Sequence, residues 1–156
     1  GKNSSYFIFS NQGKTIQYIA GYVSSVIFAE NPLPRNRKSV FSVVVEYGRS
    51  MKIGVASDLS MVSLSSGASS DMGACLFYCY DGKVHKDCKF YTSLSSGCKK
   101  GDIVTVFTDL IKYTITFLVN DVDVYSGSLN RTLLCNRDLY PVAELVDLGT
   151  SVSFLE

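Results

Sequence analysis

An all-β fold, an antiparallel β-sandwich, is what this sequence predicts, and three observations predict it. Short apolar runs rich in Val, Ile, Tyr and Phe recur roughly every 8–12 residues, punctuated by Asn, Asp and Gly, which is the spacing of strands and turns in a sandwich. No window of a dozen residues places apolar side chains at helical spacing between sensible caps. Hydrophobic residues make up 46% of the 156, enough for the core of one globular domain and too short a chain for two.

Taken in order, Tyr6-Phe7-Ile8-Phe9 and Thr15-Ile16-Gln17-Tyr18-Ile19 flank Asn11-Gln12-Gly13 as the arms of a hairpin. Tyr22 to Phe28 is a further strand. The continuous run Val40 to Val45 predicts a strand covered on both faces, or one whose alternation is blurred by Ser and Thr. Met51 to Ala56 follows. Leu76 to Tyr80 ends on Asp81-Gly82, a strong short hairpin signal. Gly101-Asp102 turns the chain into Ile103 to Phe107, Thr108-Asp109-Leu110 ends that strand, and Lys112-Tyr113 connects it to Thr114 to Val119. Asn120-Asp121 then makes a tight turn into Val122 to Tyr125. Leu139 to Leu145 and Ser151 to Leu155 complete the set, with Val152 and Phe154 sharing a face. The expected core includes Val43, Val45, Ile53, Val55, Val104, Val106, Ile115, Phe117, Val142 and Phe154. Three long loops remain, Glu30 to Ser39, Ser57 to Gly73 and Leu129 to Asp138; loops of this length in a compact domain carry function or lack order.

Composition excludes several function classes. A formal net charge of +1 gives no whole-domain electrostatic footprint for nucleic acid. No apolar run approaches the ~20 residues of a membrane-spanning helix. Five cysteines, an odd number in a chain large enough to fold without staples, read as reduced thiols of an intracellular protein, cytoplasmic or nuclear. The Asn3 and Asn130 sequons would matter only in a secreted protein. The chain begins abruptly at Gly1 and ends on a strand at Glu156, so residues 1–156 read as a single domain excised from a longer protein, monomeric in isolation.

Catalysis is not expected. His85 is the sole histidine, and neither a nucleophile elbow nor a phosphate loop surrounds any Ser or Cys. Gly97-Cys98-Lys99-Lys100-Gly101 reads as a basic turn ahead of a strand. Cys75, Cys79, His85 and Cys88 have the residue types of a zinc site but not its spacing, since Cys75 and Cys79 sit on an extended arm rather than a knuckle. They read as small core residues. No metal or cofactor is expected.

Four segments carry a family resemblance. Phe41-Ser42-Val43-Val44-Val45-Glu46 resembles a "YFEVEI" strand and Met51-Lys52-Ile53-Gly54-Val55-Ala56 an "MRIGVA" strand. Gly101 through Asp121 resembles a "GDVIGV-LDL-TISF-NG" segment, and Leu139 to Leu145 an "LYPAVSL" strand. In this order and spacing they resemble a SPRY domain, of concanavalin-like jelly-roll architecture. The chain departs from the family's usual pattern in having no tryptophan, an Asn120-Asp121 turn in place of Asn-Gly, and no recognisable PRY segment in residues 1–30.

The resemblance implies a non-catalytic module that binds a protein or peptide partner through loops at one end of the sandwich, within a scaffold or ubiquitin-ligase complex. It implies a ligand surface made by Asn31 to Lys38, Ser57 to Gly73 and Val146 to Thr150. Arg35 and Arg37 would pair with carboxylates, Met61 and Leu64 would be apolar anchors, and Asp147, Leu148 and Gly149 a backbone-approach edge. The alternative is a lectin-like sandwich that binds glycan at Asn120, Asp121, Asp123 and Tyr125.

Overall fold

The computed structural model describes residues 7–10, 15–18, 25–28, 31–47, 51–57, 75–79, 81–86, 89–93, 97–145 and 151–155. Its elements are β1 (Phe7–Ser10), β2 (Thr15–Tyr18), β3 (Ser25–Phe28), β4 (Lys38–Tyr47), β5 (Met51–Ser57), β6 (Cys75–Cys79), β7 (Lys83–Lys86), β8 (Lys89–Ser93), β9 (Ile103–Asp109), β10 (Thr114–Val119), β11 (Val122–Ser128), a one-turn helix α1 (Arg131–Leu134), β12 (Leu139–Leu145) and β13 (Ser151–Leu155). All strand pairings are antiparallel. One sheet runs β1-β2-β13-β4-β9-β10-β11 and the other β3-β12-β5-β6-β7-β8. The all-β sandwich read from the sequence is the fold observed.

Alternation makes the core. In β9, Val104 and Val106 are buried while Ile103 and Phe107 face out; in β10, Ile115 and Phe117 are buried while Thr114 is exposed. These residues meet Val43 and Val45 of the same sheet and Met51, Ile53, Val55, Leu139 and Leu145 of the other in one continuous cluster. Nine of the ten expected core residues are buried; Phe154 is only partly so and packs on the cluster's margin. The Val40–Val45 run is not covered on both faces. Val43 and Val45 point inward, whereas Val40 is 61% exposed on the outer face.

Two further differences concern boundaries. β4 starts at Lys38, inside the expected loop 30–39, because Lys38 and Ser39 pair with Asp109 and Thr108. The expected loop 129–138 contains α1, held by backbone bonds from Leu134 and Cys135 to Asn130 and Arg131. Residues 58–74 lie outside the described residues.

Strand polarity sorts the connections into two ends. Lys38 starts β4 opposite Asp109, which ends β9 and faces Thr114 at the start of β10; Thr114 in turn faces Ser128 at the end of β11. In the second sheet Leu139 starts β12 opposite Ser57, and Ala56 faces Cys75. The hydrogen bond from Leu33 N–H to Leu139 O (2.7 Å) ties these two sets together at one end. The opposite end holds Tyr47, Met51, Leu145, Ser151 and the Asn120-Asp121 turn.

Candidate functional site

The first end is built from three segments stitched to one another. The approach to β4 runs through Pro32 and Pro34 and turns at Asn36, whose φ of 57° is a conformation asparagine tolerates better than most residues. Leu33 anchors it, buried and bonded to Leu139 O, and Arg37 O accepts the Leu110 N–H at 3.1 Å. Arg35 then reaches Asp138, 103 residues away, donating from Nε (3.1 Å) and Nη2 (2.9 Å) to the same carboxylate oxygen. With side chains 48% and 37% exposed, that pair is worth roughly 0–1 kcal/mol.

The β9–β10 turn is the second segment. Asp109 Oδ1 accepts the N–H groups of Ile111 (2.9 Å) and Lys112 (3.0 Å). The Lys112 N–H bond is the largest influence holding the Asp109 carboxyl below its ordinary range; burial opposes it, and the Ile111 N–H and the charges of Lys38 and Lys112 add to the lowering. Tyr113 follows at φ 60°, unusual for a bulky residue. Its carbonyl accepts the Leu129 N–H at 2.8 Å, and the Arg131 guanidinium lies 4.8 Å from its ring centroid while donating to Ile111 O at 2.7 Å. Arg131, from the third segment, thus locks the second.

These segments, 31–38, 109–114 and 128–138, carry six cations (Arg35, Arg37, Lys38, Lys112, Arg131, Arg137) and two carboxylates. Asp138 is committed to Arg35, and Asp109 is 5% exposed and turned into its own loop. Arg37, Lys38 and Lys112 are exposed, with no ion-pair or hydrogen-bond partner for their side chains among the described residues.

At the opposite end Asn120 and Asp102 tie the backbone of the turns. Asn120 and Asp121 both have positive φ, 51° and 66°, as a two-residue hairpin of the primed kind requires. Asn120 Oδ1 accepts the Ile103 N–H (2.9 Å) and its Nδ2 donates to Asp102 (3.0 Å); the other Asp102 oxygen accepts the Lys99 N–H (2.9 Å). Gly101, at φ 91°, donates to Val45 O. Tyr125 packs against Phe117 with ring centroids 6.2 Å apart and lies over Gly127, where a Cβ would overlap its hydroxyl and ring. Of the four residues of the glycan alternative, Asn120 is a structural tie and Tyr125 a half-buried packing group; Asp121 and Asp123 are exposed.

Of the peptide-site residues expected from sequence, Arg35 and Arg37 stand together at the first end. The connection carrying Met61 and Leu64 departs from Ser57 and returns at Cys75 at that same end, though both residues lie outside the described ones. Asp147, Leu148 and Gly149 also lie outside them. The strand residues flanking them, Leu145 and Ser151, face Met51 and Tyr47 at the opposite end.

Burial, helped by Asp102 and Asp81, pushes the Cys98 thiol up to about 12, which keeps it a neutral packing group; Cys135 is an exposed free thiol. Cys75 and Cys79 lie in β6 and His85 in β7 opposite Phe77. Among the described residues no three metal-ligating side chains cluster, and no helix is long and apolar enough to cross a membrane.

No protein-family model matches the chain, and no curated protein matches it. Solved structures do. The SPRY domain of human HERC1 superposes with a TM-score of 0.77 at 15% identity, covering 96% of this chain and 92% of that one. A human SPRY domain gives 0.72 at 19% identity, covering 96% and 94%. The TRIM65 PSpry domain gives 0.73 at 13%, covering 97% and 86%. The fold of this chain is the SPRY β-sandwich.

Proposed function

We propose that this domain is a non-catalytic interaction module that binds a peptide segment of a protein partner through the basic end of the sandwich. The observation that carries the reading is the stitched loop end, where Arg37, Lys38 and Lys112 stand exposed on tethered backbone. Tethering lowers the ordering entropy that binding must overcome, and a guanidinium recognises a carboxylate with paired donors. Met61 and Leu64, from the connection that leaves the same end, are proposed as apolar anchors. The reading extends to an intracellular scaffold or ubiquitin-ligase assembly as the host, and it is supported by the SPRY-like motifs together with the fold.

The test is affinity capture with quantitative mass spectrometry, comparing the unmodified domain with a variant carrying Arg35→Ala and Arg37→Ala. The expected outcome is loss of a specific partner by tenfold or more with a melting temperature lowered by no more than about 4 °C. Retention of every captured partner by the variant would refute it.

A further inference from the structure

The outer face of the seven-stranded sheet carries an apolar pair that the fold itself does not use. Val40 and Phe107 are direct cross-strand partners on the central strands β4 and β9, 61% and 38% exposed. Their same-face neighbours are hydroxyl pairs: Ser42 with Thr105 at 2.8 Å and Thr116 with Ser126 at 3.0 Å. One step toward the basic end, the same face presents Lys38 opposite Asp109. Asp109 is buried in its own turn, so among the described residues there one inward carboxylate stands against three exposed cations, Arg37, Lys38 and Lys112.

We propose that Val40 and Phe107, with Arg37, Lys38 and Lys112, form a docking surface for an acidic peptide. The proposal rests on the interaction-module reading and names its ligand class. Geometry sets the ligand's pattern. Val40 and Lys38 are two residues apart on one strand, about 6.6 Å, and an extended peptide has the same repeat. A ligand lying along β4 therefore seats an aromatic or branched aliphatic side chain on the Val40–Phe107 pair and a carboxylate on the cations, two positions apart. The apolar pair supplies contact area that a purely charged patch lacks, and the exposed cations supply the sign. This surface runs from the loops onto the sheet face, so it is wider than the loop end alone.

The test is selection of a fully random dodecapeptide display library against the 156-residue chain, then titration of the enriched peptides, with a mixed-sequence single-stranded RNA as second probe. Enriched peptides should carry Asp or Glu two positions from an aromatic or aliphatic residue. Their affinity should fall tenfold or more with Lys38→Gln plus Lys112→Gln, and again with Phe107→Thr, a change that keeps strand propensity. Peptides that lack the acidic residue, or that bind both variants undiminished, would overturn this inference and leave the interaction module standing. Failure to enrich any peptide, or tighter binding of the RNA, would overturn both.

Discussion

The two ends of this sandwich are made of similar residues put to different uses. At the Asn120-Asp121 end, Asn120 and Asp102 accept backbone N–H groups and bond to each other, closing the turns that enter and leave β9 and β10. At the other end the carboxylates of the described residues are likewise committed, to Arg35 and to the 109–112 turn, but Arg37, Lys38 and Lys112 are left without a partner among those residues. Asn120 and Tyr125 therefore serve architecture here, while Arg37, Lys38 and Lys112, assembled from separate segments, stand exposed.

The comparison assumes that both ends hang on one core, and the largest expected effect tests that. Phe117 is fully buried in the cluster shared by the two sheets. Phe117→Ala should cost about 3–5 kcal/mol in urea unfolding, in a single transition read equally by probes at either end. Two transitions would separate the ends.

Next in size is the structural turn. Asn120→Ala removes the acceptor of the Ile103 N–H and the donor to Asp102 at a positive φ, and should cost about 1–3 kcal/mol. Its counterpart at the basic end, Arg35→Ala, breaks an exposed ion pair and should cost no more than about 1 kcal/mol. A reversal of that order would invert the comparison.

Acidity probes the one carboxylate that both builds a turn and faces the cations. Because the folded-state value of Asp109 is lowered, its contribution is present above the ordinary carboxylate range and is lost as pH falls through the lowered value. Asp109→Asn should therefore flatten the acid side of the stability–pH curve while leaving the alkaline side unchanged. An unaltered acid limb would show that the turn bonds do not contribute as described.

Much of the fold is legible in the sequence because strand grammar is local. Alternation placed Val104, Val106, Ile115 and Phe117 inside, and Asn120-Asp121 announced its own hairpin. What escaped was non-local or too short. β7 and β8 are strands of four and five residues that each begin on a lysine, too short for a clear alternation, and α1 has four residues, too few to show a helical repeat. The Val40–Val45 run left open a strand covered on both faces or an alternation blurred by Ser and Thr, and only the exposure of Val40 reveals its outward face. Arg35 and Arg37 were visible as candidates, but the partner that occupies Arg35 lies 103 residues away, and nothing in local sequence selects Asp138.

The most direct test of the division between the ends is amide shift mapping of the domain titrated with a bound peptide. The largest changes should fall at Arg37, Val40, Phe107, Ile111 and Lys112, with Gly101, Asp102, Asn120 and Asp121 unmoved. Changes concentrated at Asn120 to Tyr125, with the basic end silent, would contradict the account.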